Sequence, residues 1–201
     1  MRNYVNRSAC QGHRPTALRS RRDFSRQRLV ALLIRERGVA RFIVAPSGYG
    51  KSSLVLEYAD VVFSFRHVFW LDASSPCFLR DLDDGSLLQQ MKESDPKAGL
   101  VVFEDVPLLD PKRAQDFSAL IDDLMEGGCE VVVTCTPAAD VYESLQHDRI
   151  KVRACDLLLD DDELAGVRSD PDCPEWLQAS SRAAVRIPRL AWGPHDDAVR
   201  S

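Results

Sequence analysis

The chain has 201 residues, of which 45% are hydrophobic, and a formal net charge of −5. That supplies one well-buried α/β core with a small appendage and argues against a multidomain assembly. The six cysteines (Cys10, Cys77, Cys129, Cys135, Cys155 and Cys173) show no C-x-x-C spacing and no clustering with histidine, which argues against a zinc site or a disulfide framework and for reduced thiols in a cytoplasmic protein.

Residues 1–22 lack hydrophobic periodicity and read as a basic, flexible arm. Residues 1–41 hold 11 Arg against two acids, a charge of +9 that leaves −14 for the remainder. Such an arm could reach nucleic acid or fold back on its acidic body, and the lack of interleaved aromatics favours the second. Ser20-Arg21-Arg22-Asp23-Phe24 has the form of a twin-arginine export signal. The apolar run behind it, Leu29 to Ile34, is too short for one, is closed by Arg35-Glu36-Arg37, and has no small-residue cleavage site after it. No stretch is long and apolar enough for a transmembrane helix.

Asp23 to Arg37, with Phe24, Leu29, Leu32 and Leu33, predicts a helix that Gly38 ends. Arg41 to Leu54, RFIVAPSGYGKSSL, couples a β-prone stretch, Phe42-Ile43-Val44, to a glycine-bearing turn and then to a helix whose Val55, Tyr58, Ala59 and Val62 recur at helical spacing. His67 to Asp72 (HVFWLD) predicts a second strand, Leu79 to Met91 a short helix, and Leu100 to Asp105 (LVVFED) a strand buried on both faces. Asp110 and Pro111 have N-cap and first-turn chemistry, Phe117, Leu120, Ile121 and Leu124 form one helical face, and Gly127-Gly128 supplies the stop. Glu130 to Thr134 and Ile150 to Cys155 complete five strands alternating with helices, the pattern of a parallel sheet with right-handed crossovers. Beyond Asp156, helical stretches near Asp160 to Val167 and Trp176 to Val185 flank Pro171 and Pro174. The expected organisation is an arm (1–22), a P-loop core (23–156), and a helical lid or remnant (157–201).

The turn at residues 45–52 carries the strongest chemical signal. Ala45, Pro46, Ser47, Gly48, Tyr49, Gly50, Lys51 and Ser52 fit the phosphate-binding P-loop, in which an Ala or Gly and four further residues precede Gly-Lys-Ser/Thr. Gly48 and Gly50 let the backbone curl so that its N–H groups converge on phosphate oxygens. Lys51 supplies a charge to the β- and γ-phosphates, Ser52 a hydroxyl ligand to Mg²⁺, and the helix starting there its positive dipole end. Ser53 completes the candidate contacts to ATP or ADP. An acid is needed opposite such a loop, and Glu104-Asp105 closes the third apolar strand. One carboxylate would ligate Mg²⁺ directly or through water, and the other would polarise an attacking water. No Ser-His-Asp or Cys-His set has interpretable spacing. Trp70, Trp176 and Trp192 read as core or partner-facing anchors rather than base stackers.

Together these residues resemble the STAND class of P-loop ATPases, and within it the N-terminal ATPase domain of the large MalT/LuxR-type bacterial transcriptional activators, over most of residues 14–192. The likeness rests on APSGYGKSSL (Ala45 to Leu54) beside the family's A-P-A-G-Y/F-G-K-T-T-L, HVFWLDAS as its second strand, LVVFED as its Walker B strand and EVVVTCTP as the strand that often ends in Thr-Arg. RIKVRACDLLLDDDEL matches its final strand and following helix, and Pro188, within Ser181 to Leu190, echoes the proline of its lid motif.

The resemblance implies a three-layer α/β P-loop NTPase fold, with five parallel strands in the order 5-1-4-3-2 and a small C-terminal helical lid. It places Glu104 at the Mg²⁺ position, Asp105 at the water-activating one, and Pro188 against the nucleotide. Three positions depart from the family: Glu104 replaces an Asp, Cys135 stands where the sensor Arg is expected, and Arg186 takes the Gly position of the lid motif. Slow or vestigial hydrolysis is the expectation.

Those regulators continue into a winged helix, helical repeats and a DNA-binding helix-turn-helix. A chain ending at Ser201 is expected to signal by contact instead, by self-association or with a separate regulator, through lid residues such as Trp176, Leu177, Ile187, Leu190 and Trp192. Specific DNA binding and membrane contact are not expected of it. The function implied is an ATP-binding signalling domain. The alternative is a nucleotide or small-molecule kinase, since the same loop transfers phosphoryl groups, with Arg182, Arg186 and Arg189 as its candidate lid arginines.

Overall fold

The computed structural model describes residues 26–63, 68–93, 99–139 and 149–168. The expected basic arm, the helix at 176–185 and Pro188 lie outside the described residues. Along the chain the elements are α1 (Gln27–Ile34), β1 (Ala40–Val44), α2 (Lys51–Val62), β2 (Val68–Asp72), α3 (Pro76–Asp83), α4 (Ser86–Glu93), β3 (Leu100–Val106), α5 (Pro111–Glu126), β4 (Glu130–Cys135), β5 (Arg149–Arg153) and α6 (Asp161–Arg168). The strands form one parallel sheet in the order β2-β3-β4-β1-β5. Read from its other edge this is the expected 5-1-4-3-2.

The continuous apolar strands split their side chains between two cores because successive residues point to opposite faces. Phe42, Val44, Val101, Phe103, Val131 and Val133 join α3, α4 and α5 on one face. There Phe78, Phe103 and Phe117 meet edge to face, with ring centroids 5.0 to 6.1 Å apart. Ile43, Leu100, Val102 and Val132 join α1 and α2 on the other face, with Leu54, Val55 and Trp70. No described helix is long and apolar enough to cross a membrane.

Several boundaries differ from expectation, each for a local reason. The first helix ends at Ile34, before Gly38, where the Arg35 amide turns to the Leu32 carbonyl and the Glu36 carbonyl is taken by Arg41. The segment expected as one helix from Leu79 to Met91 is two. The first starts earlier, at Pro76, because the Ser75 hydroxyl accepts from the Cys77 amide and Pro76 needs no donor partner. It stops where Gly85 turns to a φ of 71° and the Asp84 carboxylate accepts from the Ser86 amide to open α4. The last strand is Arg149–Arg153, ending two residues short of Cys155, because the Arg153 carbonyl accepts from Asp156 and Leu157 in a turn. Asp110 does cap α5, its carboxylate accepting from the Arg113 amide. Asp160 and Glu163 form a reciprocal capping box at the start of α6.

Two buried arginines fix the layers. Arg41, within β1 and 1% exposed, donates to the carbonyls of Leu33, Glu36 and Val39 and to the Glu130 carboxylate, with its guanidinium 5.1 Å from the Tyr58 ring centroid. It thereby ties the α1–β1 connection to the edge of β4 and to α2. Arg26, also buried, donates its backbone N–H to the Glu57 carboxylate and its guanidinium to the Leu157 carbonyl, and pairs with Glu163 at 3.6 Å, so α1, α2 and α6 share one polar anchor. Burial pulls the Arg26 pKa down, and Glu163 opposes that pull.

Removing the Arg41 guanidinium would strand three carbonyls and a carboxylate, so Arg41→Met is expected to lower the unfolding free energy by about 3–5 kcal/mol in urea titrations. Burial also pushes the Tyr58 phenol up to about 12 from its ordinary 10.0. The neutral form is the one the fold accommodates, so its stabilising contribution is complete below pH 10 and is lost as the pH rises through 12. Tyr58→Phe keeps the ring beneath Arg41 and should flatten that alkaline loss in denaturation curves recorded across the window.

Candidate functional site

β1 runs out at Val44, and the Ala45 amide extends its ladder by donating to the Cys135 carbonyl at 3.2 Å. From there the chain leaves the sheet. Pro46 and Ser47 are exposed, Gly48, Tyr49 and Gly50 are half-buried, and Tyr49 packs against the core under α2. Gly48 and Gly50 both have positive φ, 88° and 79°, a region that side chains resist and glycine enters freely. The turn they make delivers Lys51 as the first residue of α2.

The start of α2 differs from the starts of α3 and α5. Those two helices carry a side-chain cap, Ser75 and Asp110. α2 begins at left-handed Gly50 with no side-chain cap, which leaves the first-turn N–H groups to another acceptor.

The side chains of the loop meet the acids at the end of β3. The Ser52 hydroxyl donates to one oxygen of Glu104, and the Trp70 indole N–H donates to the other. Lys51, only 7% exposed in its side chain, lies 3.3 Å from the half-exposed Asp105 carboxylate. Ser53 is exposed on the first turn of α2. Asp72, the register partner of Glu104 on β2, instead folds back to accept from the Ser74 amide and hydroxyl. Ser52 and Glu104 thus present two hard oxygen donors side by side, the donor type that Mg²⁺ prefers.

Asp105 has a φ of 52°, the one positive value among the described non-glycine residues. The β3–β4 register slips between Phe103 and Val106, so Asp105 sits on a bulge that turns its side chain out of the sheet toward Lys51. Its amide donates at 2.9 Å to the hydroxyl of Thr134, which is fully buried on β4. Such a backbone costs on the order of 1–3 kcal/mol and is retained only where the surroundings over-determine it.

Of the expected site residues, Ala45 to Ser53, Glu104 and Asp105 lie together at the C-terminal edge of the sheet. Pro188 is outside the described residues. Cys135, at the expected sensor position, is fully buried at the end of β4, and its carbonyl accepts from Ala45. Two contributors were not anticipated. Trp70 was expected as a core or partner-facing anchor, and it is buried, but its indole N–H also reaches Glu104. The sequence pattern marks Thr134 only as part of a strand. The available hint was position, since both lie within two residues of the C-terminal ends of parallel strands, where sites in such sheets gather.

No protein-family model matches the chain, and no curated protein does. Solved structures do. Domain III of the replication initiation protein DnaA of Thermotoga maritima superposes with a TM-score of 0.52 at 14% identity, over 81% of this chain and 76% of that one. The replication initiator DnaA bound to AMPPCP and single-stranded DNA gives 0.51 at 15% identity, over 81% and 57%. PCH-2 of C. elegans gives 0.47 at 14%, over 71% of this chain, which spans 44% of that protein's length. At these identities the DnaA likeness is one of architecture, and with the sheet order it defines the class: a P-loop NTPase fold.

If Thr134 holds the bulge, Thr134→Val leaves the Asp105 amide without its acceptor. The expected outcome is loss of that amide's hydrogen-exchange protection, with about 1 kcal/mol of stability. Unchanged protection would show that the bulge is held by other means.

Proposed function

We propose that the chain binds ATP or ADP with Mg²⁺ at the Gly48–Ser53 loop and works as a nucleotide switch with slow or vestigial hydrolysis, similar to the ATPase domain of MalT/LuxR-type transcriptional regulators. One observation carries this: an uncapped helix start whose lysine and serine already face a pair of carboxylates. An anion at that start satisfies the first-turn N–H groups and the dipole together. Lys51 would exchange Asp105 for a phosphate. Ser52 and Glu104 would hold the metal, which neutralises phosphate charge when bound. Asp105, released by Lys51, would orient and deprotonate the attacking water.

That one fold relative was solved with AMPPCP is in keeping with an ATP-type ligand. Cys135 brings no positive charge to the end of β4, which fits slow turnover. Residues 157–201, with Pro188, are proposed as a lid over the nucleotide and as the surface for self-association or a separate regulator, in a cytoplasmic setting and without specific DNA binding by this chain. A ligand can only shift an equilibrium between states that it binds unequally. The switch therefore requires such a second contact.

A ligand at 100 times its Kd stabilises the native state by about 2.7 kcal/mol. MgATP and MgADP should therefore raise the melting temperature of the wild type and leave Lys51→Ala unmoved, and equal shifts in both would sink the proposal. Asp105→Asn is expected to bind nucleotide while losing turnover. Wild-type kcat should fall well below the enzyme median of about 10 s⁻¹.

A further inference from the structure

The geometry points to Trp70 as a positioning residue that aims the Glu104 carboxylate at the metal side of the loop, an inference that rests on the Mg-nucleotide function proposed above. Trp70 stands on β2 opposite Val102 of β3, and Asp72 stands opposite Glu104. Strand alternation therefore puts Trp70, Val102 and Glu104 on one face of the sheet, the face that α2 covers.

Trp70 is 6% exposed. Its indole N–H is a donor with no acceptor capacity, and once buried it needs a partner. It finds one oxygen of Glu104 while Ser52 takes the other. The carboxylate is held at both oxygens by neutral groups. A lysine or arginine in the place of the indole would fix the same orientation but cancel the charge a cation needs. The indole fixes it and leaves the charge intact.

The pairing also gives a reason for glutamate at this position. The carboxylate leaves β3 and spans from the indole on a neighbouring strand to the hydroxyl on α2, and an aspartate is one methylene shorter. When a metal is bound, Ser52 and Glu104 would turn lone pairs to it while the indole keeps its hold on the far oxygen. Partners standing behind a ligand in this way typically carry 10- to 100-fold in metal affinity.

The test uses the full chain labelled with ¹⁵N-tryptophan, with ADP and Mg²⁺ as probes. Of the three tryptophans, the Trp70 indole resonance is identified as the one that persists in both Trp176→Phe and Trp192→Phe. It is expected to move in Glu104→Ala, and again when Mg²⁺ is added to the ADP-saturated wild type. Trp70→Phe should leave ADP affinity in EDTA within twofold of wild type, and should reduce the gain in affinity on adding Mg²⁺ by 10- to 100-fold.

An unchanged Mg²⁺ gain in Trp70→Phe, or an indole resonance indifferent to Glu104→Ala, would overturn the positioning role while leaving nucleotide binding standing. Failure of the wild type to bind ADP at all would overturn the functional proposal and this one together. Should Trp70→Phe not fold, the wild-type indole decides: a resonance that responds to both Glu104→Ala and Mg²⁺ supports the role, and a resonance that ignores either contradicts it.

Discussion

The hydrogen bond from Ser52 to Glu104 joins residues 52 positions apart in the chain, and the rest of the site is arranged around it. It exists only because β1 lies inside the sheet beside β4, because the chain turns through left-handed Gly48 and Gly50, and because α2 then crosses the face on which Glu104 stands. Arg41 secures the entry to β1 by gathering three carbonyls and Glu130 at the opposite end of the strand from the loop. One end of β1 is therefore pinned by a buried charge network, and the other launches the turn that carries Lys51 and Ser52. Displacing β1 would move both.

The same edge of the sheet concentrates unfavourable terms. Asp105 holds a left-handed backbone, Lys51 keeps an ammonium almost wholly buried, and the first turn of α2 lacks a side-chain cap. Away from that edge, α3, α5 and α6 are capped by Ser75, Asp110 and the Asp160–Glu163 box, and the buried guanidiniums of Arg26 and Arg41 are matched by carbonyls and carboxylates. The costs at this edge are ones that the proposed nucleotide would relieve, since a phosphate would complete the helix start and occupy the lysine.

The sheet was legible in the sequence because its strands are continuous apolar runs, and α5 because Asp110-Pro111 and Gly127-Gly128 bracket one apolar face. The strand order came from the family resemblance, and pattern alone does not contain it. The start of α3 is not legible in the same way, although Ser75-Pro76 carries the same chemistry as Asp110-Pro111, because the Ser74-Ser75-Pro76 cluster has the composition of a loop as well. The residues of the candidate site were named from motif spacing, whereas the contacts among them depend on register. Which strand partner faces Glu104, and that Asp105 sits on a bulge held by Thr134, follow from the pairing of β2, β3 and β4. That pairing leaves no mark in any single segment.

The proposed function requires the Gly48–Ser52 loop and the β3 carboxylates to form one nucleotide site. Backbone amide NMR on the uniformly ¹⁵N-labelled chain, titrated with MgADP, locates binding residue by residue. The largest shifts are expected at Gly48, Gly50, Lys51 and Ser52, with Glu104 and Asp105 following at the same ligand concentration. Saturable shifts confined to other surfaces, with the loop amides unmoved, would contradict the claim.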